Sequence, residues 1–145
     1  MAALAALERT AFSDPWTRAQ LATALDWPGA LAMVAEDDDE IVGYVLGRVI
    51  VDEGEILSIA TRPTRRREGI GRQLLDAITG TMAAAGAHAA WLEVRMSNEA
   101  ARTMYRSAGF APAGIRPGYY RRPDEDALIL RCELPAAASP GPALR

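Results

Sequence analysis

Apolar positions recur at helical spacing at the start of the chain: Leu4, Leu7, Ala11 and Phe12 share one side of a 3.6-residue repeat, which predicts an opening helix. Thr17 and Gln20 form a capping box, with Trp16 and Leu21 placed as a hydrophobic staple. A second helix is therefore predicted from Thr17, ended by Asp26-Trp27-Pro28-Gly29. The pattern then changes to that of strands. Ala30 to Glu36, Ile41 to Val51 and Glu55 to Thr61 read as strands, the first two joined by the acidic turn Asp37 to Glu40. They are expected to lie side by side and antiparallel. Pro63 to Glu68 is a basic loop, after which Ile70, Leu74, Leu75, Ile78 and Met82 mark one face of a helix that stops near Gly86. Ala89 to Val94 is a short apolar strand. Ser97 or Asn98 can cap a further helix, with Ala101, Met104, Tyr105 and Ala108 inside and Gly109 at its end. Two last strands are predicted near Phe110 to Arg116 and Ala127 to Leu134.

This order predicts an α/β fold with a mixed central sheet flanked by helices, in a single domain spanning residues 1–134. The Ala/Pro/Gly-rich segment 135–145 is expected to be a disordered tail.

Composition removes several chemistries. All 16 basic residues are arginine, so lysine Schiff bases and a P-loop lysine are excluded. A net charge of -3 argues against nucleic-acid binding by bulk electrostatics. One cysteine, Cys132, allows no internal disulfide, and a reducing cytoplasmic location is expected. With one histidine, His88, the usual structural zinc sets are out of reach, and no metal is expected. No apolar run approaches transmembrane length, and no signal-peptide pattern opens the chain, so no membrane partner is expected.

The segment Arg66-Arg67-Glu68-Gly69-Ile70-Gly71-Arg72 lies between a predicted strand and a predicted helix. Glycines let a phosphate approach the backbone, helix-start amides carry partial positive charge, and arginines add full charges. Taken alone, the two glycines fit a plain helix start beside a solvated arginine cluster equally well. The missing Gly-Lys-Ser/Thr end excludes a P-loop, and Leu74 stands where a dinucleotide fingerprint needs a third small residue.

The Arg-x-x-Gly-x-Gly loop after Leu57-Ser58-Ile59-Ala60-Thr61 resembles the core motif of the GNAT N-acetyltransferases. The resemblance extends through Trp91-Leu92-Glu93-Val94-Arg95, Ser97-Asn98, Ala100-Ala101, Tyr105 and Gly109-Phe110. Arg116, Tyr119-Tyr120 and Glu125-Asp126-Ala127 continue it, and Phe12 and Pro15-Trp16-Thr17 match near the start. It covers nearly all of residues 4–134 and is strongest to bacterial members acting on the N-terminal alanine of a small-subunit ribosomal protein.

The resemblance implies the GNAT fold, with an antiparallel N-terminal half and a parallel strand pair at the cofactor site. It implies acetyl-CoA as co-substrate and a protein N-terminus, or another peptide amine, as partner. It casts Glu93 as general base and Tyr105 as general acid. It places Ile59, Ala60, Thr61, Arg66, Arg67, Glu68, Gly69, Ile70, Gly71, Arg72 and Asn98 against acetyl-CoA, and Arg116 and Tyr120 beside the peptide. Read without it, Glu93 could be a surface carboxylate paired with Arg95, and Tyr105 a core residue. Family members usually begin with a short strand before the first helix; this chain starts inside that helix, so either the first edge strand is missing or the true start lies upstream.

Overall fold

The computed structural model describes residues 2–11 and 15–135. Phe12 and the predicted tail beyond Pro135 lie outside them. The elements follow the predicted order: α1 (Ala2–Ala11), α2 (Arg18–Leu25), β1 (Ala30–Asp37), β2 (Glu40–Ile50), β3 (Glu53–Thr61), α3 (Ile70–Ala84), β4 (Ala89–Arg95), α4 (Glu99–Ser107), β5 (Ala111–Tyr120) and β6 (Glu125–Glu133).

The capping box forms: Thr17 Oγ1 accepts from the Gln20 amide at 3.1 Å, and Gln20 Oε1 accepts from the Thr17 amide at 2.8 Å. Trp16 and Leu21 join the same apolar cluster, as the staple requires. Asn98 is the residue that caps α4, its side chain accepting from the Ala101 amide at 3.2 Å.

Six strands pair in the order β1-β2-β3-β4-β6-β5. The first three form an antiparallel meander, β3 and β4 are parallel, and β6 inserts antiparallel between β4 and β5. Successive strand residues face opposite sides, so β2 serves both layers. Val45 packs under α3 with Ile56, Leu75, Ile78 and Met82, whereas Tyr44 and Leu46 pack with Leu4, Leu7, Leu21 and Ala60 below α1 and α2. Each fully buried Leu, Ile or Met contributes about 1.5–3 kcal/mol relative to leaving it in water.

β1 lies at the sheet edge, with no strand on its outer side among the described residues. It carries Glu36 and Asp37 and a register shift between Ala35 and Glu36, features that discourage pairing with another edge.

Candidate active site

The site begins where β3 and β4 part. Their parallel register runs only through Glu53↔Ala89, Gly54↔Ala90 and Glu55↔Trp91. Beyond it, Ile59, Ala60 and Thr61 pair with Val45, Tyr44 and Gly43 of β2, and Glu93 pairs with Ile129 of β6. A cleft thus opens between the C-terminal halves of β3 and β4, where open α/β sheets bind ligands. Backbone amides of residues 59–61 that point away from β2 meet no β4 partner there, so they are available to a bound acyl group or amide chain.

The glycine loop closes one end of this cleft. A 3-10 turn at Pro63–Arg65 leads to Gly69, which precedes α3 with φ +82°. A Cβ built on Gly69 would meet nothing within 4 Å, so this glycine serves the left-handed backbone rather than packing. The Gln73 amide donates to the Gly69 carbonyl at 3.0 Å, and the amides of Ile70, Gly71 and Arg72 precede that bond. They form the positive end of a 15-residue helix. A Cβ at Gly71 would sit 3.2 Å from Met104 Sδ and 3.6 Å from Thr61 Oγ1, so β3, α3 and α4 converge on this residue.

The arginines divide into two groups. Arg65 bridges Asp37 at 2.9 Å and Glu68 at 2.8 Å, which raises the Arg65 pKa and lowers that of Glu68 through the hydrogen bonds they share. Arg72 is held by Asp76 and Ser107, each at 3.0 Å. Arg66 and Arg67 have no ion pair among the described residues, leaving their charge for a diphosphate. Glu68, with its carboxylate engaged, can offer only its backbone. The positive helix end, the open space at Gly69 and the two uncommitted guanidinium groups fit the diphosphate of acetyl-CoA. Gly71→Val fills the convergence of Thr61 and Met104, and is expected to weaken acetyl-CoA binding at least about tenfold (~1.4 kcal/mol). Unchanged affinity by titration calorimetry would mean that acetyl-CoA does not approach this loop.

Across the cleft, Glu93 is three-quarters enclosed. Its Oε2 lies 2.6 Å from Nε of Arg116, with a side-chain exposure of 25% against 56% for the arginine. That oxygen is shielded from solvent and makes no hydrogen bond of good geometry, so Arg116 is its close cationic neighbour. Arg95 instead pairs with Glu125 at 3.3 Å and stacks on Tyr120.

Tyr105 is buried on the inner face of α4 and packs edge-on against Phe110, with ring centroids 6.0 Å apart. Among the described residues its hydroxyl makes no hydrogen bond. Burial first, and then the nearby Tyr120, push its pKa well above the ordinary phenol value. It is protonated at neutral pH. Glu93 and Tyr105 do not bond to each other.

Two residues gain roles that sequence pattern did not assign. Tyr119 stacks under Arg116, 5.1 Å from the guanidinium carbon. Burial, followed by the charge and hydrogen bonding of Glu93, raises its pKa. Glu125 accepts from the Ser97 amide at 2.6 Å and the Ser97 hydroxyl at 3.0 Å, tying the loop after β4 to the β5–β6 hairpin. The Ser97 hydroxyl bond leads the causes that lower the Glu125 pKa.

Other features stand apart from this chemistry. Cys132 is half-buried on β6, and burial raises its thiol pKa. A hollow of about 410 Å³ on α2 is lined by Trp16, Ala19, Gln20, Thr23 and Trp27, none of them a residue of the cleft. Asp52, Glu53 and His88 form the one group of potential metal ligands among the described residues. One potential ligand atom from each lies within 4.8 Å of the others, and the imidazole nitrogens sit 3.4 and 3.7 Å from the Asp52 and Glu53 carboxylates, all three side chains being largely exposed. No described helix is long and apolar enough to cross a membrane.

A splayed parallel strand pair with a glycine loop at the helix start defines an acetyltransferase of the GNAT class, and residues 1–110 match the acetyltransferase (GNAT) family. The chain belongs to that family. It is 33% identical over 126 residues to the [ribosomal protein bS18]-alanine N-acetyltransferase of Escherichia coli (strain K12), covering 86% of this chain and 84% of the relative. The enzyme of the same name from Haemophilus ducreyi is 33% identical over 129 residues, covering 86% and 87%. The crystal structure of the ribosomal-protein-S18-alanine N-acetyltransferase from Escherichia coli superposes with a TM-score of 0.87 at 30% identity, over 96% of this chain and 90% of that one.

Proposed function

We propose that this enzyme transfers the acetyl group of acetyl-CoA to the N-terminal alanine amine of a small-subunit ribosomal protein, by direct attack of the amine. The observation that carries this reading is the position of Glu93, at the parting of β3 and β4 and under the Arg116–Tyr120 segment. The names of the relatives above point to the same acceptor.

Bound acetyl-CoA supplies an acetyl thioester. Glu93 takes a proton from the incoming ammonium, directly or through one water. The energetics suit an N-terminus. An α-ammonium has a pKa of roughly 7.7–8.0, so its neutral form costs about 1 kcal/mol near neutral pH. A lysine ammonium, near 10.4, costs roughly 3.5 kcal/mol more, a burden for a single carboxylate. Those amides of the Ile59–Thr61 segment that point away from β2 polarise the acetyl carbonyl. Tyr105 gives its proton to the departing sulfur or hydrogen-bonds it. Holding amine and acetyl donor in one cleft supplies much of the acceleration. No nucleophile on the protein is needed, and Cys132 takes no part.

The test mixes the protein with acetyl-CoA and a short peptide beginning Ala-Arg, and follows free CoA thiol. A matched peptide carries a blocked N-terminus and an internal lysine. Release with the free alanine terminus alone is expected. Release with lysine alone would reject the ribosomal-protein acceptor while keeping the acetyl donor. Acetyl-CoA binding without release from either peptide would point to a small-amine acceptor or to a non-catalytic binding module.

A further inference from the structure

We propose that Arg116 is a displaceable stand-in for the acceptor: without peptide its guanidinium occupies the cation position at Glu93 that the acceptor's ammonium must take. The inference rests on the base assignment of Glu93 made above.

The geometry has three parts. The Arg116 Nε sits 2.6 Å from an oxygen of Glu93 that solvent does not reach. An ammonium cannot reach that oxygen while the guanidinium is there, and two cations sharing it would repel. The exposures are also asymmetric, 56% for the arginine side chain and 25% for the glutamate. Arg116 can therefore swing into water at small cost, whereas Glu93 needs a replacement cation when it leaves.

The third part is the backbone. The β5–β6 register is regular at Arg116↔Ala127 and resumes only at Tyr120↔Glu125. Between them, Pro117, Gly118 and Tyr119 leave the ladder, with Gly118 at φ +60°. Such an irregularity re-aims a side chain, and here it carries both Arg116 and the Tyr119 ring on which the guanidinium stacks. The arrangement selects for charge. An ammonium can replace a guanidinium at a carboxylate. A neutral acetylated terminus cannot, so the return of Arg116 to Glu93 helps expel the product.

The test separates a stand-in from a peptide-binding arginine, because the two shift KM in opposite directions. In Arg116→Gln, KM for the peptide is expected to fall about two- to fivefold, as removing a weak competing ion pair would give. KM for acetyl-CoA, which is bound on the other side of the cleft, does not move. Arg116→Lys keeps a competing cation and retains the wild-type KM. A raised or unchanged KM in Arg116→Gln overturns the proposal.

A second measurement needs no turnover. The Arg116 Nε–H resonance of the labelled protein, assigned by its loss in Arg116→Gln, is expected to move on adding a peptide with a free N-terminus. The N-acetylated peptide is expected to leave it in place. A resonance unmoved by a peptide that the enzyme acetylates overturns the proposal. If only a lysine peptide is acetylated and only that amine moves the resonance, the alanine acceptor is wrong while the stand-in holds.

Discussion

Glu93→Gln is expected to lower kcat/KM for the peptide by about 10²–10⁴, the range a positioned general base contributes, with acetyl-CoA affinity nearly unchanged. The substitution preserves shape and removes the basic oxygen. It also removes the charge that Arg116 meets at 2.6 Å, so the Arg116 resonance should shift as well. The glycine loop at Gly69 and the start of α3 lie on the other side of the cleft, and nothing in their geometry passes through Glu93. Residual turnover should depend on pH only through the amine, with an apparent pKa of roughly 7.7–8.0 for an N-terminus. Steady-state rates with calorimetric acetyl-CoA binding decide the matter. A comparable loss in acetyl-CoA affinity would move Glu93 from the proton-transfer step to the cofactor site.

The second large effect is on stability. Glu8 is 2% exposed, a carboxylate inside the α1 layer with no ion pair among the described residues. It is held by three donors: the Trp16 amide to Oε2 at 2.8 Å, and the Ser58 hydroxyl at 2.5 Å and the Tyr44 hydroxyl to Oε1. Burial, then the bond to Glu8, raises the Tyr44 pKa far above the ordinary phenol value, so the tyrosine remains a donor. These bonds join α1, the start of α2, β2 and β3 at one point. Glu8→Gln puts an NH2 group where a donor now points, whichever way the amide turns. The expected loss is about 2–4 kcal/mol, seen as a fall in Tm of roughly 10 °C. A loss below about 0.5 kcal/mol in denaturant titration would mean that water or a rearranged hydroxyl replaces the bonds.

Which features could be read from sequence follows from the range of the interactions that make them. The Thr17–Gln20 box, the Asn98 cap and the apolar face of α3 are local: each needs residues three or four apart, and periodicity registers that spacing. Strand ends were displaced by a few residues. β3 starts at Glu53 rather than Glu55, and β5 runs to Tyr120 rather than Arg116, because pairing with a neighbour extended each beyond its own apolar pattern. Glu8 gave no signal, since a charged residue on a helix reads as solvent-facing until its partners are known. Tyr44 is 36 residues away and Ser58 is 50.

The sequence by itself determined the element order, the capping box at Thr17, the glycine loop before α3 and, through family resemblance, the candidate acid, base and acetyl-CoA positions. Those features are written in adjacent residues or in short spaced motifs. Tertiary structure alone decided that β3 and β4 part after Glu55 and Trp91, that β6 lies between β4 and β5, and that Arg65 and Arg72 are held while Arg66 and Arg67 remain unpaired by carboxylates. It also decided that Glu93 faces Arg116 rather than Arg95. A charge takes its partner by distance in space. Residues 93 and 95 lie on one face of one strand, yet the β5–β6 hairpin brings Arg116 to the first and Glu125 to the second.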